Sequence, residues 1–248
     1  MRSRSFVKSA DMIRRICLSI LFLSLLLVPG LRVRAAADPE TYLSELRAEL
    51  QKCWPVNRTI NIVFHGHSVP AGYARTPFVN TLEAYPHRTL ALVKDKYPNA
   101  VVNVITTAIG GEQSEQGAAR FEAEVLCHRP DVLLIDYALN DRMIGLERSE
   151  AAWRRMIEAA LSRGVKVILL TPTPDLSEDI RSDAARLAAH AAMIRRLADE
   201  YGVGLADAYA AFRRKAEAGE RIADYMSQVN HPNPRGHEVV AAEIIRWF

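Results

Sequence analysis

The sequence predicts one doubly wound α/β domain built on a five-stranded parallel sheet. Five short runs rich in apolar and β-branched residues occur along the chain, and helical patterns separate them. The predicted strands are Thr59–Phe64, Val101–Thr106, Asp131–Tyr137, Val165–Leu170 and the weaker Val203–Ala206. Near-continuous apolar strands separated by helices are typical of a parallel sheet that helices cover on both faces. Because residues 55–248 show no break in composition and no internal repeat, we predict a single domain.

The predicted helices follow from apolar residues at helical spacing. An opening helix covers Tyr42–Cys53. The helix after the third strand has the apolar stripe Trp153, Met156, Ile157, Ala160 and Leu161. The helix after the fourth strand has the stripe Leu187, Ala191, Ile194, Leu197 and Tyr201. A final helix is lined by Val240, Ile244 and Trp247.

The composition is that of an ordinary globular protein. Of the 248 residues, 49% are hydrophobic and 25% are charged, which excludes collagen, a disulfide-rich mini-protein, a coiled coil and a disordered chain. The formal net charge of +3 is unevenly distributed, since residues 1–37 carry seven Lys/Arg residues and one acid. The remainder is mildly acidic, so we expect no nucleic-acid partner and no attraction to an anionic membrane surface.

The first 37 residues have the layout of a secretory signal peptide. Basic residues precede an apolar run from Ile16 to Val28, and Ala35-Ala36-Ala37 forms a small-residue cleavage pattern before Asp38. The run is shorter than the ~20 residues of a spanning helix. We therefore predict cleavage, a mature domain over residues 38–248 with its core at about 59–248, and a secreted or periplasmic location. An uncleaved N-terminal anchor is the alternative.

The mature chain has two cysteines, Cys53 and Cys127. Export makes a disulfide between them chemically possible, and two buried free thiols are the alternative. The His/Cys spacing gives no zinc signature, and the pair His65 and His67 lacks a cluster of further ligands. We therefore expect neither a metal nor a cofactor. The oligomeric state is open.

Polar residues follow the predicted strands at the edge where doubly wound folds bind ligands. Ser68 follows the first strand, Gly111 the second and Asn140 the third, and His231 precedes the final helix. A serine hydroxyl becomes a good nucleophile when a neighbouring histidine takes its proton. A backbone N–H beside glycine and an asparagine amide suit the oxyanion of a tetrahedral intermediate. This set of residue types indicates acyl transfer.

The same residues resemble the conserved blocks of the SGNH (GDSL-type) hydrolases. Gly66-His67-Ser68 resembles their Gly-Asp-Ser block, and Gly111 matches the glycine of the second block. Asn140 matches their Gly-x-Asn-Asp block, and His231 matches the histidine of the last block. The resemblance runs from about Thr59 to Phe248. It implies a flavodoxin-like fold with a five-stranded parallel sheet and a serine esterase that needs no cofactor.

The resemblance also implies a role for each residue. Ser68 would be the nucleophile, and its own N–H would be one oxyanion donor. Gly111 N–H and the Asn140 side chain would be the other donors. His231 would act first as the general base and then as the acid for the leaving group.

Two positions depart from the family pattern. His67 stands where the family has aspartate, which puts the geometry of the loop in question. Gln228 stands three residues before His231, where the family usually has aspartate. A glutamine carbonyl can accept the imidazole N–H, but it cannot stabilise an imidazolium as a carboxylate does. Gln228, Asp224 and a backbone carbonyl are the three candidates for the group that orients His231.

The resemblance favours an exported esterase that hydrolyses short acyl esters, such as acetyl groups on carbohydrate. Two segments, Gly219–Pro234 and Pro70–Pro77, are expected to shape its substrate pocket. The first alternative is an O-acetyltransferase that passes the acyl group to a cell-envelope polysaccharide from the same site. The second is a catalytically inactive carbohydrate-binding protein, which the missing acid and the unusual His67 keep open.

Overall fold

A computed structural model describes residues 35–248. The predicted signal peptide therefore lies outside the described residues, apart from its last three positions. The five strands are β1 (Thr59–Gly66), β2 (Val101–Thr106), β3 (Val132–Asp136), β4 (Lys166–Leu170) and β5 (Gly204–Ala206). They form one parallel sheet in the order β2-β1-β3-β4-β5. The predicted fold class is confirmed, and each strand begins and ends within two residues of its prediction.

Helices connect the strands and continue to the end of the chain. The longer ones are α1 (Ser44–Leu50), α3 (Tyr85–Lys96), α4 (Ser114–Glu124), α6 (Leu146–Leu161), α7 (Arg186–Tyr201), α8 (Ala208–Glu217) and α9 (Pro234–Ile245). Two single-turn helices, α2 (Ser68–Ala71) and α5 (Ala138–Asp141), follow β1 and β3. The opening helix is shorter than the predicted Tyr42–Cys53, since after Leu50 the chain tightens into a three-residue turn in which the N–H of Lys52 donates to the carbonyl of Glu49. The last helix ends before Trp247, which is nevertheless buried.

The core lies on both faces of the sheet, because successive side chains of a strand point to opposite faces. In β3, Val132 and Leu134 belong to one buried cluster, whereas Leu133 and Ile135 belong to the other. Helices α1, α3, α8 and α9 cover the first face, and α4 and α6 cover the second. This double coverage explains why the strands are apolar at nearly every position.

The sheet topology determines which loops meet. β1 lies between β2 and β3, so the loops after these three strands share the carboxyl edge at the point where the strand order reverses. Gly66, the last residue of β1, pairs with Asp136, the last residue of β3. A Cβ atom on Gly66 would collide with the carbonyl oxygen of Asp136, so glycine allows the two strand ends to lie close together.

Cys53 and Cys127 are free and exposed. The disulfide option is therefore wrong, and the second option is right that the thiols are free but wrong that they are buried. Cys53 lies in the turn after α1, and Cys127 lies in a 3₁₀ turn after α4. Within residues 35–248, no helix is both long and apolar enough to cross a membrane.

Candidate active site

Ser68 and His231 are in direct contact at the carboxyl edge of the sheet. Oγ of Ser68 lies 2.9 Å from Nε2 of His231, although the two residues are 163 positions apart in the chain. Each residue is only 6% exposed. The contact is the one that a serine needs in order to pass its proton to a histidine.

The backbone after β1 folds tightly around Ser68. The N–H groups of Gly72 and Tyr73 both donate to the carbonyl oxygen of Ser68, at 3.1 and 3.0 Å. Gly72 ends α2 with a φ of 95°, a left-handed conformation that favours glycine. Since Ser68 is the first residue of α2, its own N–H is one of the groups that have no acceptor within the helix.

The second ring nitrogen of His231 has two neighbours. Nδ1 lies 2.9 Å from the carbonyl oxygen of Ala74 and 2.8 Å from Nε2 of Gln228. The Gln228 amide is oriented by its own oxygen, which accepts the N–H of Thr76 at 3.1 Å. The amide therefore presents its NH₂ group to the imidazole.

Proton counting separates these two neighbours. If Nε2 accepts the Ser68 proton, the hydrogen of the neutral imidazole is on Nδ1, so Nδ1 is a donor. The Ala74 carbonyl can accept that hydrogen, whereas the NH₂ group of Gln228 cannot. The third candidate, Asp224, has a half-exposed carboxylate that pairs with Arg221 at 3.4 Å. Among the three candidates, the backbone carbonyl has the geometry and the chemistry of an acceptor for Nδ1–H.

The surroundings of His231 favour its neutral form. Burial lowers the pKa of the imidazole, and charge on His67 would lower that pKa further. The hydrogen bond with the Ala74 carbonyl opposes these effects without outweighing them. A neutral imidazole at neutral pH is the form that can accept a proton.

Glu112, the residue after Gly111, connects the turn containing Gly111 to Asn140. Nδ2 of Asn140 donates to the backbone carbonyl of Glu112 at 2.9 Å. An amide NH₂ group has two hydrogens, so one remains for a ligand. Gly111 has a φ of 78° and open space where a Cβ would lie. The candidate oxyanion donors are thus on the loops after three adjacent strands, and the turn containing Gly111 fixes the Asn140 amide.

The side chain of Glu112 is part of a buried network that sequence reasoning missed. Its carboxylate accepts hydrogen bonds from Arg120 at 2.8 and 2.6 Å and from the Tyr137 hydroxyl at 2.6 Å. Burial opposes its ionisation, but the hydrogen bonds from Arg120 and Tyr137 outweigh burial and lower the pKa of Glu112. Only two features of the sequence point to this network: Glu112 is next to Gly111, and Arg120 follows it by 8 residues.

His65 belongs to the same network. Its Nε2 lies 3.1 Å from the Tyr137 hydroxyl, and its Nδ1 lies 2.9 Å from the Thr107 hydroxyl. Burial, assisted by the positive charge of Arg120, lowers the pKa of His65 to about 4. His65 is therefore a neutral buried side chain with partners on both nitrogens. In the part of the chain that the structure describes, no group of three or more His, Cys, Asp or Glu residues could hold a metal ion.

Asp141, next to Asn140, anchors the third loop. Its carboxylate accepts hydrogen bonds from the Ser114 N–H at 2.8 Å, the Ser149 hydroxyl at 2.6 Å and the Trp153 indole at 2.9 Å. These donors come from α4 and α6. Asp141 thus fixes the helical turn that carries Asn140.

The two segments expected to shape the pocket are linked beside His231. The N–H of Thr76 donates to Gln228, as described above, and a third segment joins them, since the N–H of Leu176 in the loop after β4 donates to the carbonyl of Val229 at 2.7 Å. The ring of Tyr73 lies between the site's loops, with its centroid 6.0 Å from that of His231. A Cβ on Gly110 would come within 2.9 Å of this ring. Tyr73 therefore fills the space between the glycine turn and the histidine.

A buried serine–imidazole pair at the carboxyl edge of a doubly wound sheet, with N–H donors on the adjacent loops, is the arrangement of a serine acyl hydrolase. The sequence profile of the GDSL-like Lipase/Acylhydrolase family matches residues 64–239, more than half of the chain. The chain belongs to this family, also called SGNH hydrolases, and is an ester-bond hydrolase. The comparison with curated proteins gives no significant match.

Solved structures share the fold. Axe2, an acetylxylan esterase from Geobacillus stearothermophilus, is 20% identical, with a TM-score of 0.66 over 76% of this chain and 93% of that chain. A two-domain esterase (CEX) active on acetylated mannans, co-crystallised with mannopentaose, is 20% identical, with a TM-score of 0.70. That match covers 87% of this chain and 54% of the two-domain chain.

Proposed function

We propose that this chain is an exported serine esterase that removes short acyl groups, with acetyl groups on carbohydrate as the leading substrate. The observation that carries the catalytic part is the row formed by Ser68 Oγ, the His231 imidazole and the Ala74 carbonyl, with both gaps at 2.9 Å.

In the first half-reaction, Ser68 Oγ bonds to the ester carbonyl carbon while its proton moves to Nε2 of His231. The imidazolium then has hydrogens on both nitrogens, and Nδ1–H donates to the Ala74 carbonyl. The negative charge on the former carbonyl oxygen is placed towards the N–H groups of Ser68 and Gly111 and the second hydrogen of the Asn140 amide. His231 returns the proton from Nε2 to the leaving alcohol, which leaves an acyl-enzyme.

In the second half-reaction, water replaces the alcohol. His231 takes a proton from the water as it attacks the acyl carbon, and the same oxyanion donors act again. His231 then protonates Ser68 Oγ as the acid leaves. Every proton moves through Nε2, so no cofactor enters the balance.

The substrate class rests on weaker support than the chemistry. Two proteins of the same fold act on acetylated xylan or acetylated mannans, as their names state. In this chain, Ser68 and His231 are each 6% exposed, and the Tyr73 ring closes one side of the site. A restricted site of this kind suits a small acyl group better than a long one.

Export rests on the sequence pattern of residues 1–37. Cleavage before Asp38 would remove two hydrogen bonds, from the N–H of Ala36 to the Asp199 carboxylate and from the N–H of Ala37 to the Val203 carbonyl. Neither bond involves a residue that contacts the side chains of Ser68 or His231, so the mature protein would keep its site. Expression of the full chain in a Gram-negative host, followed by mass measurement of the periplasmic product, tests this directly. A product that keeps residues 1–37 and stays with the membrane would contradict cleavage.

The central experiment uses purified protein from Asp38 onwards, with a fluorophosphonate probe, p-nitrophenyl acetate and acetylated xylo- and manno-oligosaccharides. Labelling and acetate release are expected in the parent and should vanish in Ser68→Ala. Acetate transferred to an added sugar, instead of released, would identify a transferase. Sugar binding without labelling or turnover in folded parent protein would identify an inactive binding protein.

A further inference from the structure

Outside the row of Ser68, His231 and Ala74, the strongest group of buried polar atoms surrounds the side chain of His67. This residue begins the turn that carries Ser68, residues 67–72, which is named the nucleophile turn. His67 immediately precedes Ser68 and is 1% exposed. It is the N-cap residue of α2, and its Nδ1 accepts the backbone N–H of Val69 at 3.2 Å. Because a nitrogen that accepts a hydrogen bond has no hydrogen, the imidazole hydrogen must be on Nε2.

Nε2 of His67 faces a carboxylate. It lies 3.4 Å from Oδ1 of Asp136, the last residue of β3, which is 3% exposed. The other oxygen, Oδ2, accepts the hydroxyl of Tyr85 at 2.9 Å. Among residues 35–248, neither Nε2 of His67 nor Oδ1 of Asp136 has a hydrogen bond of ordinary geometry with any group, and the 3.4 Å contact between them is the ion-pair contact that the structure gives either atom. Each is therefore the available partner of the other.

Burying a carboxylate without partners is costly, so Asp136 needs donors. Tyr85 is a permanent one, because burial and the adjacent Asp136 carboxylate raise the pKa of its hydroxyl well above the usual value. His67 can be the second donor only in the tautomer with hydrogen on Nε2. That tautomer leaves Nδ1 free to accept from Val69.

We propose that Asp136 and His67 form a buried positioning pair for the nucleophile turn. The carboxylate fixes the His67 tautomer, the imidazole fixes the Val69 N–H, and the turn thereby holds the N–H of Ser68 where the oxyanion forms. The inference rests on the proposed function, since it assigns the pair to the geometry of that reaction. It also gives His67, which stands in place of the family's aspartate, a defined task.

The position of the pair in the fold supports this assignment. Gly66 and Asp136 are paired in register at the ends of β1 and β3, so the carboxylate lies beside the residue that leads into the turn. As in the carboxylate–histidine pair of a catalytic triad, one nitrogen of His67 faces a carboxylate, that of Asp136. The other nitrogen, Nδ1, accepts the backbone N–H of Val69 instead of contacting the serine hydroxyl. The catalytic imidazole, His231, therefore remains the only base in contact with Ser68 Oγ among the described residues.

The first test reads the tautomer without using catalysis. In ¹⁵N imidazole NMR of the parent protein from Asp38 onwards, His67 is expected as the neutral form with hydrogen on Nε2. In Asp136→Asn, the new amide NH₂ group faces Nε2 and should drive the hydrogen to Nδ1. A parent His67 that is charged, or that has its hydrogen on Nδ1, overturns the proposal. This result stands whether or not Ser68 is a nucleophile.

The second test measures turnover per active site. Asp136→Asn should lower kcat for p-nitrophenyl acetate by about 10- to 100-fold with little change in KM, because oxyanion donors act in the transition state. Active-site titration with the fluorophosphonate corrects for misfolded protein. A normal kcat per titrated site in Asp136→Asn would contradict the proposal and leave the pair a purely structural one.

Rescue and a matched control complete the design. His67→Asp keeps an N-cap acceptor but places two carboxylates together, so it should lose activity. Adding Asp136→Asn supplies a donor and should raise kcat above that of His67→Asp, whereas no rescue argues against coupling of the two positions. His190→Asn is the control, since His190 is a buried histidine on α7 whose Nδ1 contacts Arg186 in its own helix. It should change stability and leave kcat per titrated site unchanged.

Discussion

The carbonyl oxygen of Ala74 lies 2.9 Å from Nδ1 of His231, and the hydroxyl of Ser68 lies 2.9 Å from Nε2 of the same ring. Both groups belong to the segment that follows β1. A single stretch of backbone thus presents the hydroxyl of the proposed nucleophile to one nitrogen of the imidazole and an acceptor to the other. A neutral acceptor can select the reactive tautomer, but it stabilises the imidazolium less than a carboxylate would.

Replacing Gln228 with alanine should have little effect on the reaction. Its NH₂ group cannot donate to a protonated Nδ1, so the side chain does not support the reactive tautomer. We expect kcat/KM for p-nitrophenyl acetate to stay within about threefold of the parent, because the Ala74 carbonyl still accepts Nδ1–H. A loss of about 100-fold or more, in protein with normal active-site titration, would show that Gln228 is the orienting group.

Replacing Gln228 with glutamate should supply the missing acid. The new carboxylate keeps the acceptor for the Thr76 N–H and places negative charge beside Nδ1, which favours the imidazolium. The pKa of His231, which burial now lowers, should rise. The acid limb of the kcat/KM profile should therefore move to higher pH, while kcat on the alkaline side increases.

The shape of the kcat/KM pH profile distinguishes a change in the pKa of His231 from an indirect effect of Gln228→Glu. In the proposed mechanism the active base is neutral His231, so a raised pKa of His231 lowers activity at acid pH and raises activity at pH values above the acid limb. Crossing profiles of parent and Gln228→Glu are the expected outcome. A uniform change at every pH would mean that the substitution acts on something other than the protonation of His231.

The positions and boundaries of the strands along the chain could be predicted because the information is local. Runs such as Val167–Leu170 are apolar at every position since both faces of the sheet are covered. The contact between Ser68 and His231 was also predictable from the placement of both residues at strand or loop ends, together with the family resemblance. The strands require only residue types and their spacing, whereas the contact between Ser68 and His231 also requires the resemblance.

The orienting group and the buried pair could not be predicted in the same way. A backbone carbonyl such as that of Ala74 is present at every residue and leaves no mark in the sequence. The contact between His67 and Asp136 depends on the register of β1 and β3, which the sequence does not specify to one residue. The exposed thiols of Cys53 and Cys127 similarly depend on where short turns direct each side chain.

Acid should unfold the protein because two histidines are buried in neutral form. Burial, assisted by Arg120, lowers the pKa of His65 to about 4, and burial, assisted by Arg88 and His231, lowers that of His237 to about 3. Both pKa values are lower in the folded than in the unfolded state, so the unfolded chain binds more protons below its own histidine pKa of about 6.5. Stability is therefore full above that pH and is lost as the pH falls towards the folded values.

The slope of this loss can be measured. Each histidine adds about 1.4 kcal/mol per pH unit to the pH dependence of the unfolding free energy, between about pH 6 and the lowered pKa. Urea denaturation at several pH values from 7 to 4.5 gives the total. His237→Asn keeps an acceptor near the N–H of Tyr85. The variant should therefore lose the contribution of one histidine to the slope of the unfolding free energy against pH. An unchanged slope in that variant would mean that His237 is not a neutral group that protonates on unfolding.

Substitution of Glu112 should separate the stability of the glycine turn from its catalytic geometry. Glu112→Gln leaves the largely buried guanidinium of Arg120 without its close carboxylate, and breaking a buried pair costs about 3 kcal/mol. The backbone carbonyl that holds the Asn140 amide belongs to the same residue, so loosening the turn moves two oxyanion donors together. We expect a lower urea midpoint and a fall in kcat of about 10-fold per titrated site, with KM nearly unchanged.

Arg148→Gln is a suitable control, because it removes an exposed pair with Glu115 on α4 and should alter neither quantity by much. A destabilised Glu112→Gln protein with normal kcat per site would show that the network supports the fold alone and that the oxyanion donors are positioned by other contacts, of which the hydrogen bonds to Asp141 are the first to examine.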